Sequence, residues 1–218
     1  LEKYGKADKL VYQGLGLLYY KSNNLKDSFL AYQKALEKMT DSEREDFTLN
    51  SVKFILSTGN SKLKELNKVE LSSYLDTYWK SNDPIIMTEY NERLLEHYSR
   101  VAFANLSFSI PQMNVVGWKS NRGEMVLRYG EPMNRMRVRP NLYGGMGGGP
   151  DKTKENGADE LMSKIIKGEK WNYKDFTILF EDPFQNGNYK FDNTQLVFIE
   201  DLRKSKPTTF YPKFEGPI

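Results

Sequence analysis

The chain contains no cysteine and a single histidine. The first absence excludes disulfides, thiolate nucleophiles and Cys-ligated zinc, and it fits a reducing cytosol or a periplasm in which no covalent staple is needed. The second removes the commonest zinc sets, which use several imidazoles. No apolar run approaches the ~20 residues that a membrane-spanning helix requires. The 32 basic and 29 acidic side chains are spread along the chain, and the net charge is only +3. Without a clustered positive stripe, nucleic acid is not an expected partner. There is no Gly-x-Ser-x-Gly elbow for a serine nucleophile and no Gly-x-Gly-x-x-Gly fingerprint between a strand and a helix. The one glycine run, Gly144-Gly145-Met146-Gly147-Gly148-Gly149, is followed by Pro150 and Asp151, where a Walker loop needs Lys and then Ser or Thr. No cofactor and no metal are expected. The chain begins at Leu1 and carries no basic-then-apolar leader, so it reads as a trimmed or processed product.

What is present suits an α+β protein. A length of 218 residues with 39% apolar and 28% charged side chains allows one large domain or two small ones around a sizeable core. From Leu10 to Met39, apolar residues recur at helical spacing in two runs broken by Lys21-Ser22-Asn23-Asn24. Tyr12, Leu15, Gly16, Tyr19, Ser28, Tyr32 and Ala35 follow the spacing of a tetratricopeptide repeat. One period later, Asn50 and Lys53 stand where Gly and Tyr would be, so the helix expected over 41–56 is a degenerate repeat or a cap. Tyr12, Tyr19 and Tyr32 are the candidates for a peptide groove. Plain packing of the helical pair on its neighbour is the simpler expectation, because grooves need three or more repeats.

Two further helices are expected, over 69–79 and over 88–108, the second amphipathic and capped at Thr88. Beyond Pro111 the period shortens. Met125, Leu127 and Tyr129 alternate with Val126 and Arg128 before Gly130-Glu131-Pro132, which reads as a strand and a turn. Three more short strands are expected around Trp171 to Phe176, Ile178 to Phe180, and Tyr189 to Phe191, forming an antiparallel meander. The glycine run and the charged stretch after it read as an insertion over about 141–168, with mobile residues from Gly144 to Lys154 and a short helix from Asp159 to Lys167.

The stretch Gly117-Trp118-Lys119-Ser120-Asn121-Arg122-Gly123, continuing to Gly130 and Pro132, resembles the core motif of the GWxTD domain family. Upstream, Tyr78-Trp79-Lys80-Ser81-Asn82-Asp83-Pro84 and the helix residues Asn91, Arg100, Val101, Ala104, Asn105 and Phe108 are similar to the element that precedes that motif. Trp171 and Tyr173 resemble its closing strands. The likeness spans about Tyr74 to Asp192 and divides the chain into a helical, tetratricopeptide-like region at 1–66 and a GWxTD-like domain at 67–218, with helices packed on a small antiparallel sheet. It implies an envelope protein of Bacteroidota type, facing the periplasm or associated with the outer membrane. Its only hold on a membrane would be a lipid anchor on a removed N-terminus. A shorter pattern is similar to small lipoproteins of outer-membrane β-barrel assembly. The family has no established biochemical activity.

This chain departs from the motif at Asn121, where the family carries Asp, and at Asn82, where it carries Arg. A neutral residue at 121 argues against a catalytic base or metal ligand there, while keeping an acceptor for a hydrogen bond. Trp118 is expected to anchor the fold. Arg122 is expected to pair with an internal acceptor, a guanidinium beside a tight turn being suited to carboxylates. His97 beside Glu96 is not expected to be catalytic, and the Glu92/Glu96 pair flanked by Arg93 and Arg100 reads as a solvated salt-bridge face. A non-catalytic scaffold with a protein or peptide partner is therefore the favoured expectation. A hydrolase or ligand-binding domain using Arg122 and the polar groups at the mouth of the glycine loop is the alternative.

Overall fold

The computed structural model describes residues 8–57, 61–138, 167–192 and 195–204. The expected insertion lies outside these residues except where its end enters a strand, and so do the mobile run and nearly all of the short helix expected there. Helices α1 (Lys9–Lys21) and α2 (Leu25–Lys38) form an antiparallel pair. Asp8 and Asn24 cap them through their side chains, as short polar residues at helix starts do. Their close approach depends on Gly16, where a methyl would come within 2.7 Å of the Tyr32 ring. Ser28 adds a hydrogen bond to the Gly16 carbonyl at 2.8 Å.

The helix expected over 41–56 is one winding in three parts: α3 (Asp41–Glu45), a π-helical turn (Asp46–Asn50) and α4 (Ser51–Leu56). Thr40 and Glu43 close a capping box at its start. Then follow α5 (Ser61–Glu65), α6 (Lys68–Ser81), capped by a box between Asn67 and Glu70, and α7 (Glu92–Phe108). The cap of α7 is Asn91, not Thr88. Thr88 instead spends its hydroxyl on Tyr90 and Glu92 within the connecting turn, so the helix starts later than the periodicity indicates.

The strand expected from Met125 to Tyr129 is a helix, α8 (Asn121–Tyr129). Ser120 caps it by accepting the Gly123 N–H at 3.0 Å, and Gly130 ends it with φ +72°. Residues 122 through 128 are all buried, because α4, α7, β4 and a C-terminal helix surround α8. In so short a helix the consecutive apolar residues Met125, Val126 and Leu127 between charged ones mimic the alternation of a strand.

The sheet is an antiparallel meander in the order β1 (Asn134–Val138), β2 (Lys167–Asn172), β3 (Thr177–Asp182), β4 (Lys190–Phe191). The expected Trp171, Ile178 and Phe191 strands are present, with Tyr173 and Phe176 in the β2–β3 turn instead of a strand. Met125 to Tyr129 is replaced as first strand by β1 at the sheet edge, where Asn134, Arg135, Met136 and Arg137 are exposed. A further helix, α9 (Leu196–Lys204), closes the described chain.

One apolar core runs from Tyr32 and Phe47 through Leu95 and Phe108 to Trp171 and Phe180. A second gathers Val52, Leu63, Leu71, Leu75 and Trp79 around α6. Both clusters contain residues from either side of Leu66. Trp118 and Trp171 are 3% and 0% exposed within the larger one. Among the described residues, no helix is long and apolar enough to cross a membrane.

Candidate functional site

The Gly117-to-Gly123 segment is wedged between α7 and the sheet, and its two glycines explain how. A methyl on Gly117 would stand 2.0 Å from the Ala104 carbonyl oxygen, and one on Gly123 would stand 2.0 Å from the carbonyl oxygen of Gly117. Backbone meets backbone at both points, so any side chain would push the turn off α7. Ser109 and Asn105 complete the seat by accepting the N–H groups of Gly117 at 2.9 Å and Trp118 at 3.2 Å. The buried Trp118 ring packs edge-on to Phe54 at 5.7 Å, and Lys119 sits over it while pairing with Asp46 at 2.8 Å.

Asn121 opens α8 and accepts the Phe191 N–H at 3.2 Å, tying the motif to β4. Arg122 points into the interface with the sheet. Its guanidinium lies between two rings, 4.6 Å from Phe108 and 4.0 Å from Tyr189, and donates to the Gly187 carbonyl at 3.0 Å. The expected carboxylate partner is Glu169, approached at 3.5 Å by one nitrogen rather than by a two-pronged fork. Burial draws the Arg122 pKa down while Glu169 opposes it, and Nε has no partner. Glu169 is itself a hub. It accepts the Trp171 indole N–H at 3.0 Å and lies within reach of Arg135 at 3.4 Å and Arg137 at 4.0 Å. Sequence reasoning missed it, since a lone acid in a charged stretch carries no spacing signal.

Arg100 reaches from α7 to the last carbonyls of α8, Leu127 at 3.1 Å and Arg128 at 3.4 Å, and pairs with Glu96. Beside it, Gly130 accepts the Tyr173 hydroxyl at 3.1 Å, and Pro132 lies in the turn into β1. Trp79 and Asp83 sit elsewhere. The Trp79 carbonyl accepts the Asn91 amide at 2.7 Å and its ring lies 5.7 Å from His97, whereas Asp83 accepts the Ile85 N–H in a local turn. The motif residues thus form two groups, one at the α7–α8–sheet junction and one joining α6 to α7.

Tyr12 and Tyr19 flank a shallow cleft of about 230 Å³ on the outer side of α1 and α2. Tyr32 does not join them. It is 1% exposed and donates its hydroxyl to Ser99 at 3.1 Å, on the opposite, inner side of α2.

Only one arrangement in the described residues has the look of a nucleophile and base. Ser51 Oγ lies 2.8 Å from His97 Nε2. Ser51 is 0% and His97 3% exposed, and Ser51 also donates to the Phe47 carbonyl at 2.7 Å. Burial, reinforced by Arg100, pushes the His97 pKa down to about 3, too low for a base working at neutral pH. The pair is a sealed hydrogen bond bracing α4 against α7. The Glu92/Glu96 pair beside His97 is not the solvated face expected, since Glu92 is 6% exposed and the Glu96 side chain 16%. Among the described residues, no group of three or more His, Cys, Asp or Glu side chains could hold a metal ion.

Compared with protein families, with curated proteins and with solved structures, the chain shows no match.

Proposed function

We propose that the protein is a non-catalytic scaffold or protein-interaction module of the cell envelope, as its likeness to the GWxTD family and to a tetratricopeptide hairpin implies. One observation carries the reading: the polar groups of the motif are turned to internal partners. Asn121 holds β4, Arg122 is clasped between two rings and the Gly187 carbonyl, and Arg100 caps α8. Side chains engaged in this way stabilise a junction and leave little to perform chemistry on a substrate. The resemblance would place the protein in the periplasm, held by a lipid on a removed N-terminus.

The test is cross-linking and co-purification from the native envelope, set beside turnover assays on ester, peptide and glycoside substrates. A defined protein partner and no turnover are expected. Turnover that Arg122→Lys abolishes without lowering Tm would overturn the reading in favour of a hydrolase or ligand-binding domain.

A further inference from the structure

Where α1, the end of α2, the π-helical turn and the Trp118 turn meet, they enclose a cleft of about 180 Å³. Its walls are mainly apolar: Met39, Phe47, Val116 and Trp118. Two ion pairs stand at the cleft, Lys9 with Glu43 and Lys119 with Asp46. Its mouth runs past Leu10, which is 49% exposed.

Three features set the cleft apart. Gln13 lies on the inward face of α1, 3% exposed, and its amide oxygen has no hydrogen-bond partner. A buried amide oxygen without a donor is disfavoured, and native folds retain few of them. The neighbouring acceptors are already occupied, since Asn105 takes the Trp118 N–H and Ser109 takes the Gly117 N–H. Of the buried side-chain oxygens lining the cleft, that of Gln13 is the one left without a donor. The second feature is the π-helical turn, which puts Asp46 and Phe47 into the wall. Such turns break the regular ladder and recur at functional sites. The third is the volume itself, which a fold packed for stability alone would fill.

We propose that this cleft is a recognition pocket for a phenol-type group: a single aromatic ring bearing one hydrogen-bond donor. An apolar cavity of about 150 Å³ accepts a benzene ring, so this one has room for a ring with one small substituent. Trp118 and Phe47 offer ring faces and edges, and Met39 a polarizable contact. The donor goes to Gln13. The last torsion of a glutamine side chain is broad, so the oxygen turns toward the cleft without moving the backbone. Apolar walls with one placed polar group are the usual composition of small-ligand sites. The group arrives as a free phenol or as a tyrosine side chain of a partner, and the second source rests on the interaction reading given above.

The experiment titrates the full chain with 4-methylphenol and with toluene, which differ by the hydroxyl alone, following the Met39 methyl and Trp118 indole resonances. Binding of 4-methylphenol is expected to be about tenfold tighter, the worth of one hydrogen bond at the upper end of its usual range. Gln13→Leu, or Gln13→Met if branching disturbs α1, should fold, raise Tm and erase the preference. Absence of shifts at Met39 and Trp118 with both compounds overturns the proposal. So does equal affinity for the two in the wild type, or a preference that survives in both Gln13 variants. N-acetyl-tyrosinamide separates the sources: its binding supports a tyrosine side chain, and binding of 4-methylphenol alone supports a free phenol. Phenol binding by a protein that co-purifies with no partner keeps the pocket and removes the scaffold reading. A partner without phenol binding does the reverse.

Discussion

Arg100 donates from the middle of α7 to the carbonyl of Leu127 in the last turn of α8, so a side chain of one helix serves as the C-terminal cap of another. Helix ends leave carbonyls unpaired, and a cation there also answers the negative pole of the helix dipole. The same guanidinium pairs with Glu96, whose side chain is 16% exposed and whose pKa is raised chiefly by burial. Arg100→Met should therefore cost about 3–5 kcal/mol, the usual cost of stranding one member of a buried pair. Urea unfolding of the single and double variants with Glu96→Gln checks this. The double variant should recover part of the loss, and strict additivity would show that the pair is uncoupled.

The glycines of the motif make a sharper contrast. Gly117→Ala and Gly123→Ala place a methyl 2.0 Å from a backbone oxygen, which no rotamer change relieves. Each should destabilise by roughly 3 kcal/mol or more, in the range of severe steric replacements. At Gly14, within α1, an added methyl meets only Leu106 Cδ1 at 3.9 Å. Gly14→Ala should stabilise by about 0.5–1 kcal/mol through helix propensity. Thermal melts of the three variants would decide it, and similar Tm values for all would contradict the close approach.

These residues also show what the sequence could and could not reveal. The helix α7 was legible because its apolar residues, among them Leu95, Val101 and Ala102, recur at helical spacing over 17 residues. The helix α8 has only nine residues, too few for the period to stand out. Met125, Val126 and Leu127 are consecutive and all buried, and Glu124 and Arg128 are buried with them as an ion pair at 3.0 Å that Arg203 extends. Short-range alternation then mimics a strand. The strand β1 fails for another reason: Arg135 and Arg137 are the residues turned toward buried Glu169, while the apolar Met136 is exposed. Motif spacing located Trp118, Asn121 and Arg122 but not what they touch, because Glu169, Gly187 and Phe191 come from distant turns and strands. Gln13 gave one faint signal, a polar residue among apolar ones in α1.

His97 makes stability depend on acidity in a definite direction. Its folded pKa, about 3, lies below the ordinary 6.5, so below that pH the unfolded chain binds a proton that the folded chain refuses. The contribution is fully present above about pH 6.5 and is lost as pH falls toward the folded value, at about 1.4 kcal/mol per unit. Between pH 7 and pH 5 the protein should lose roughly 2 kcal/mol through this group. His97→Gln, which keeps a polar group near Ser51, should flatten that part of the curve. Glu92 and Glu96, raised by burial, contribute with the opposite sign and are common to both proteins, so they cancel in the difference. Equal losses of unfolding free energy between pH 7 and pH 5 in the two proteins would mean that His97 takes up its proton as readily in the folded chain as in the unfolded one.

Asn121 supplies the last test, because the proposed likeness to the GWxTD family would set it at a position that carries an acid there. Its Oδ1 accepts the Phe191 N–H at 3.2 Å, and its backbone forms the first residue of α8. A carboxylate at this place can accept the same hydrogen bond and sits favourably at the positive pole of a helix, an effect of about 0.3–1 kcal/mol. Asn121→Asp should therefore leave Tm unchanged or raise it slightly. Asn121→Leu keeps the size but removes the acceptor, leaving the Phe191 N–H unpaired at a cost of about 1–3 kcal/mol. If the residue mattered for chemistry, the ranking would differ: Asn121→Asp would introduce an activity or a metal dependence, and Asn121→Leu would cost little stability. Melting curves with and without divalent cations, recorded beside the turnover assays, separate the two cases. A cation-dependent rise in Tm confined to Asn121→Asp would show that an acid at this position makes a ligand site and would overturn the structural reading of Asn121.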